Sequence, residues 1–403
     1  MEHAAHGMGA PLTGSAGFAG VARAQAGSRT RTAFIDNLKV FLTVLVVLHH
    51  AGQPYGPTGG AWPLFHAEKF RLLGPFFHIN ASFFMGLFFL ISGYYLKAAY
   101  DRKGARQFLG ERLRRFGVPI LVFGWGFMPL ARHFVEGKAW ADCFFPFQWA
   151  HLWFLGHLLV YATLYTAFRL WTDRGRSPSA TAGAADEPAF PSQGLLLGYA
   201  LLLAVASVIV RIWYPIDLWV QWGVPAELAH LPQYASLFVF GIVAGNFGWL
   251  ERIPDRTGRP ALAMGLVLAA LRFCYTLFHW GFLGGDEFWI DFAWCLWEAL
   301  LCTGLCVGLC WFFHAHLRHA GRGPQFLARH AFAVYVIHLP ILVFLQMAME
   351  HTTLGPLTLT LVTGVAAVLI CYAVAALYGR ALDIVSGVLA TRQLLARRGG
   401  AGR

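Results

Sequence analysis

Lys39 and His50 are the residues whose types and spacing first point to chemistry. Eleven positions apart, they return to within about 20° of one helical face, with about 16 Å between them along the axis. Both lie in the apolar run FIDNLKVFLTVLVVLHHAG. An ionisable group in such a run is costly and is a functional hypothesis by default. The spacing predicts Lys39 at a membrane interface and His50 near the midplane. A cation below an imidazole suits a long anionic ligand: the cation holds its phosphates, and the imidazole can deprotonate a hydroxyl near neutral pH. Plainer readings stay open, with Lys39 a snorkelling interfacial lysine and His50 a bridge between helices. His49 points about 100° away and is the weaker candidate.

Arg112 and Arg115 form a second group, in GERLRRFGVPIL. Three apart, they share a helical face, and guanidinium forks suit pyrophosphate or 3′-phosphate groups. The plain alternative is the basic flank of a span. A third set is scattered: His151 and Trp153 in HLWFLGHLLVY, Tyr335 and His338 in AVYVIHLPIL, and Glu298 inside an apolar run. Glu298 is the costliest of these in a membrane, and either chemistry or an Arg or His on another helix would explain it. Zinc-protease, serine-hydrolase, P-loop and dinucleotide motifs are missing from supporting contexts.

These residues need elements to hold them, and composition says which. Of 403 residues 57% are hydrophobic and 13% charged, with a mean hydropathy of +0.54. A soluble domain needs charge on roughly a quarter of its residues. Runs of about 20 apolar residues recur, so the expected fold is an all-α polytopic membrane protein with about ten transmembrane helices. The spans are read at about 34–55, 76–96, 117–134, 151–171, 194–213, 233–250, 261–280, 288–313, 328–349 and 357–379. Residues 1–33 read as a disordered leader with no signal-peptide pattern, 34–380 as one membrane domain and 381–403 as a basic tail. The stretch 172–193 reads as a flexible linker. The aromatic-rich connections 56–75 and 214–232 read as interfacial anchors, or as caps on an outer cavity.

Lys and Arg gather in alternate connections, 97–115 above all, which predicts cytoplasmic N- and C-termini. The net charge of +11 is explained by that pattern, so nucleic acid is not an expected partner; the lipid bilayer is. Cys295, Cys302, Cys306 and Cys310 fall on one face of one helix and read as packing residues. Neither a disulfide framework nor a metal is expected.

Taken in order, these segments resemble acyltransferase family 3, the ten-helix membrane acyltransferases that modify surface sugars. FIDNLKVFLTVLVVLHHAGQPYG resembles the family's opening helix, a basic residue, ten positions, then a histidine; Lys39 stands where the family often has Arg. FFMGLFFLISGYYL, ending in Ser92-Gly93, resembles its second helix, and RLRRFGVPIL the Arg-rich start of its third. HLWFLGHLLVY and AVYVIHLP resemble later landmarks. The likeness runs from about 34 to 380 and leans toward the glucan-biosynthesis branch. It implies acyl-CoA, acetyl-CoA or succinyl-CoA, approaching from the cytoplasm, with Lys39, Arg112 and Arg115 on its phosphates. His50 would be the general base or would transiently carry the acyl group, with Glu298 as a second catalytic candidate. His151, Trp153, Tyr335 and His338 would contact a carbohydrate acceptor on the outer side of a cell inner membrane. The rival reading is a proton-coupled solute transporter using the same buried His and Glu; no inverted repeat supports it.

Overall fold

The computed structural model describes residues 15–57, 62–174, 188–278, 287–319 and 321–400, with side chains for 33–57, 62–174, 188–278, 288–319 and 321–381. Fourteen α-helices are found among them. They are α1 (Ser15–Gly52), α2 (Leu73–Ala81), α3 (Phe84–Tyr94), α4 (Leu96–Arg112), α5 (Val118–Val122), α6 (Met128–Phe134), α7 (Trp140–Cys143) and α8 (Trp153–Thr172). α9 (Gln193–Trp213), α10 (Leu231–Phe247), α11 (Asp255–Leu277), α12 (Glu287–His316), α13 (Arg322–Ala348) and α14 (Pro356–Gly400) follow. The expected connection 214–232 contains a small antiparallel hairpin, β1 (Trp219–Trp222) and β2 (Val224–Glu227), turning at Gly223 with φ 85°.

Among the described residues, eight stretches are long and apolar enough to cross a membrane: Ala33–Tyr55, Leu73–Tyr94, Gln193–Trp213, Leu228–Phe247, Asp255–Leu277, Phe288–His316, Arg322–Ala348 and Pro356–Ala381. Large apolar side chains project outward from them, among them Leu202, Ile212, Leu361 and Leu369. That is the surface of a multi-pass membrane protein, whose solvent is hydrocarbon. The third and fourth expected spans are not among the eight. The third is broken by two π-helical turns, Leu113–Gly117 between α4 and α5 and Phe123–Phe127 between α5 and α6. Each turn lies just ahead of a proline, Pro119 or Pro129, whose missing N–H spoils the regular ladder. The fourth is α8, twenty residues of helix.

α1 begins at Ser15, within the stretch read as a leader, and residues 1–14 lie outside the described residues. Ala and Arg favour helix, and extending an existing helix avoids the cost of nucleation. The basic tail likewise continues α14 as far as Gly400. Most of the expected linker, 175–187, lies outside the described residues.

Apolar helices gain little from one another by burial in lipid, so close backbone approach decides which pair. α3 and α10 show this. A Cβ on Gly93 would sit 2.2 Å from the Phe238 carbonyl oxygen, and one on Gly241 would sit 2.1 Å from that of Leu90. This is the packing reason for the glycine in LISGYY.

The basic connections converge on one end of the bundle. Lys39 lies 5.5 Å from the Tyr95 ring centre, and the Tyr94 hydroxyl donates to Glu251. Trp311 donates to Asp255 at 2.9 Å, Phe34 meets His314 edge-on, and Asn37 donates to the Leu317 carbonyl at 2.6 Å. Between α1 and the start of α13 at this end lies a cavity of about 680 Å³, lined by Asp36, Asn37, His319, Arg322, Arg329 and His330 among others.

Candidate functional site

α1 and α13 bring two histidines together across 288 residues of sequence. His50 Nδ1 lies 2.9 Å from His338 Nε2. The ring planes are nearly parallel, inclined by 22°, with centroids 5.0 Å apart. His338 is fully buried. Its Nδ1 is 2.6 Å from the carbonyl of Tyr335, one turn earlier in α13. On another side of His50 lies Trp62, nearly parallel at 17° and 5.6 Å. Trp62 donates to Gln346 Oε1 at 2.8 Å, and Gln346 donates to the Ala51 carbonyl at 3.2 Å. The loop after α1 is thereby fastened to both helices that carry the histidines.

Local sequence explains how His151 joins them. Pro340 stands inside α13 and has no N–H, so the Val336 carbonyl four residues back loses its helical donor. His151 Nε2 supplies one, at 3.2 Å. The Tyr335 hydroxyl donates back to the His151 carbonyl at 2.5 Å. These two bonds dock the start of α8 on α13, and the His151 ring meets His338 edge-on at 4.6 Å. A proline in a membrane helix is tolerated when a neighbour satisfies the freed carbonyl.

His151, Tyr335 and His338 are thus gathered with His50. Trp153 is not. It stacks on Tyr234 at 5.7 Å and meets Trp219 of β1 edge-on at 5.6 Å, on the α10 side of α8. His50 stands in the last turn of α1, two residues before its end at Gly52, not midway along the span as expected. The span starts at Ala33, so eleven residues beyond Lys39 already reach its far end. His49 is buried against Phe77 and Phe84 and meets His50 edge-on at 5.6 Å.

Lys39 is ion-paired with Asp36 at 2.7 Å, one helical turn below. Arg112 lies over the rings of Phe108 and Phe116 at 5.2 and 5.5 Å, and Arg115 over Phe332 of α13 at 4.9 Å. Among the described residues no carboxylate is within ion-pair distance of either guanidinium. Burial pushes Arg112 below its ordinary value, the charge of Arg115 lowers it further, and Glu111 opposes both.

Glu298 has a partner the sequence reading did not name. Its carboxylate accepts from Arg211 of α9 at 2.6 Å, and Arg211 also reaches Cys295 at 3.3 Å. Ser207, His230, Gln233 and Cys302 surround this pair. No described contact joins Glu298 to His50 or His338. Arg211 stands in the apolar run LLLAVASVIVRIW, where an intramembrane Arg was itself a legible signal. Asp36 was legible too, from its i, i+3 spacing to Lys39. Trp62 and Gln346 carried no such signal. The four cysteines of α12 are free and buried, with Cys302 and Cys306 sulfurs 3.9 Å apart.

With this geometry in view, comparison with known sequences is specific. The sequence model of the family described as "Acyltransferase domain", acyltransferase family 3, matches residues 32–376, most of the chain. Glucans biosynthesis protein C of Escherichia coli strain SMS-3-5 / SECEC is 30% identical over 151 residues, 33% of this chain and 38% of the relative. The proteins of the same name from strains K12 and O1:K1 / APEC give the same identity and coverage. The matched region thus spans well under half the length of these relatives. No solved structure matches the chain.

Proposed function

This chain belongs to acyltransferase family 3 and is a membrane acyltransferase; from that premise we propose that it moves an acetyl or succinyl group from cytoplasmic acyl-CoA to a hydroxyl of a carbohydrate outside the cytoplasm. The observation that carries the reading is the imidazole pair, partly buried His50 with fully buried His338, on a helix that carries Lys39 three turns earlier. The proposed topology has ten spans, α8 and the α5–α6 stretch completing the eight, with both termini in the cytoplasm of a bacterial inner-membrane protein. The gathering of the basic connections at one end supports it.

The coenzyme approaches that end. Arg112 and Arg115, guanidiniums without carboxylates, hold phosphate oxygens through charge-assisted hydrogen bonds. Arg322 and Arg329 line the cavity beside Asp36 and offer more cationic surface for the nucleotide. Lys39 joins them once its pairing with Asp36 loosens. The thioester reaches His50 about 16 Å further along α1. The His50 imidazole accepts the proton of the acceptor hydroxyl as its oxygen attacks the thioester carbonyl. The tetrahedral intermediate collapses, the carbon–sulfur bond breaks, and the departing thiolate takes that proton from the imidazolium. Only the acyl group crosses; the coenzyme stays inside. A carbohydrate acceptor is supported by the name of the relatives, Glucans biosynthesis protein C.

The test is turnover by the purified full chain, native against His50→Ala, with acetyl- and succinyl-CoA each offered alongside a soluble glucan. General-base removal predicts a loss of roughly 10²–10⁴-fold in kcat. Equal turnover in the two proteins would remove His50 from the chemistry. Failure of the native protein to consume either coenzyme would overturn the donor.

A further inference from the structure

Along the 2.9 Å line between His50 Nδ1 and His338 Nε2, one nitrogen carries the hydrogen and the other the lone pair. The far side of His338 decides which. Its Nδ1 lies 2.6 Å from the Tyr335 carbonyl oxygen, which can only accept, so His338 Nδ1 carries a hydrogen. In a neutral imidazole the second nitrogen is then an acceptor. His50 Nδ1 must therefore be the donor, which leaves His50 Nε2 with a free lone pair.

The surroundings deny His338 an alternative. Its side chain has no exposed surface. One neighbour, His151, is itself fixed by the Val336 carbonyl that Pro340 frees and by the Tyr335 hydroxyl. His50 is held against Trp62, which Gln346 fastens.

We propose that His338 is a positioning residue that holds His50 in the tautomer whose Nε2 accepts the proton of the acceptor hydroxyl. The inference rests on the acyltransferase reading and gives His338 a role other than the acceptor contact expected from sequence. It also supplies a response to the proton: as Nε2 is protonated, the Nδ1–H bond to His338 becomes charge-assisted and strengthens. A base oriented by a third group is the recurring logic of nucleophile activation.

Two measurements test it on the full chain in detergent or nanodiscs. In ¹⁵N-histidine spectra, His50 should show a protonated Nδ1 and an unprotonated Nε2, and His338→Phe should abolish that preference. A protonated Nε2 on neutral His50 in the native protein, or an unchanged tautomer in His338→Phe, overturns the proposal. In kinetics, His338→Gln keeps an acceptor oxygen near the place of Nε2 and should hold kcat within about tenfold of native. His338→Phe should lose roughly 10²–10⁴-fold in kcat with KM for acyl-CoA unchanged. Equal losses in the two variants, or a loss confined to KM for the acceptor, would overturn it. The spectra need no turnover, so an inert native protein would sink the acyl-transfer reading while the tautomer is judged separately.

Discussion

At the scale of single residues, Arg211 and Glu298 show how a costly group can be explained twice. Either charge alone in the helix interior is expensive; together they form a bonded pair. Glu298→Ala leaves Arg211 unpaired and should cost about 3–5 kcal/mol of stability. The double variant Arg211→Met, Glu298→Leu should recover most of that, as read by thermal unfolding in detergent. Turnover by the recovered double variant would identify Glu298 as structural; a stable but inactive double variant would return it to the chemistry. Arg112 makes the opposite case, a half-buried cation with rings beneath it and no carboxylate partner among the described residues. Arg112→Ala should raise KM for acyl-CoA by about ten- to a hundredfold, the worth of one charge-assisted bond, and flatten its salt dependence. An unchanged KM would take the phosphate elsewhere.

Elements carry the next level, and the join of α4 to α8 is open to a pH test. Asp101 of α4 accepts from Lys97 at 2.9 Å and from Arg169 of α8 at 2.8 Å, and Arg169 lies over the Tyr100 ring. Burial alone would raise the Asp101 carboxyl, but the bonds from Lys97 and Arg169 outweigh it and hold the group below its ordinary value. A depressed carboxyl stabilises the fold fully above its unfolded value of about 3.9. That contribution is lost as pH falls through the lower folded value. Because the site is partly exposed, about 0.5–1 kcal/mol is expected. Asp101→Asn should therefore lower the unfolding midpoint at pH 6 and match native protein near pH 2. A constant difference across that range would mean the pair contributes nothing through its charge.

For the whole molecule, the gathering of basic connections at one end predicts a side. A single thiol placed at Lys103, in a background lacking the seven native cysteines, should resist impermeant reagents in intact cells and react after lysis. Ready labelling from outside would invert the topology and with it the direction of acyl transfer.

Sequence alone determined the membrane class, the order of the apolar helices, the family likeness and the Lys39–His50 spacing. Each follows from local rules: hydrophobic run length, helical periodicity and charge between runs. The broken third span was half legible, since Pro119 and Pro129 stand in it, but the π-helical turns they provoke were not. Only the tertiary structure decided partners. It paired His50 with His338 across 288 positions, Glu298 with Arg211 across 87, and Trp62 with Gln346 across 284. Helices in lipid choose neighbours by backbone approach and side-chain fit, as Gly93 and Gly241 do between α3 and α10. That fit is a property of two surfaces meeting, and neither run of sequence contains the other.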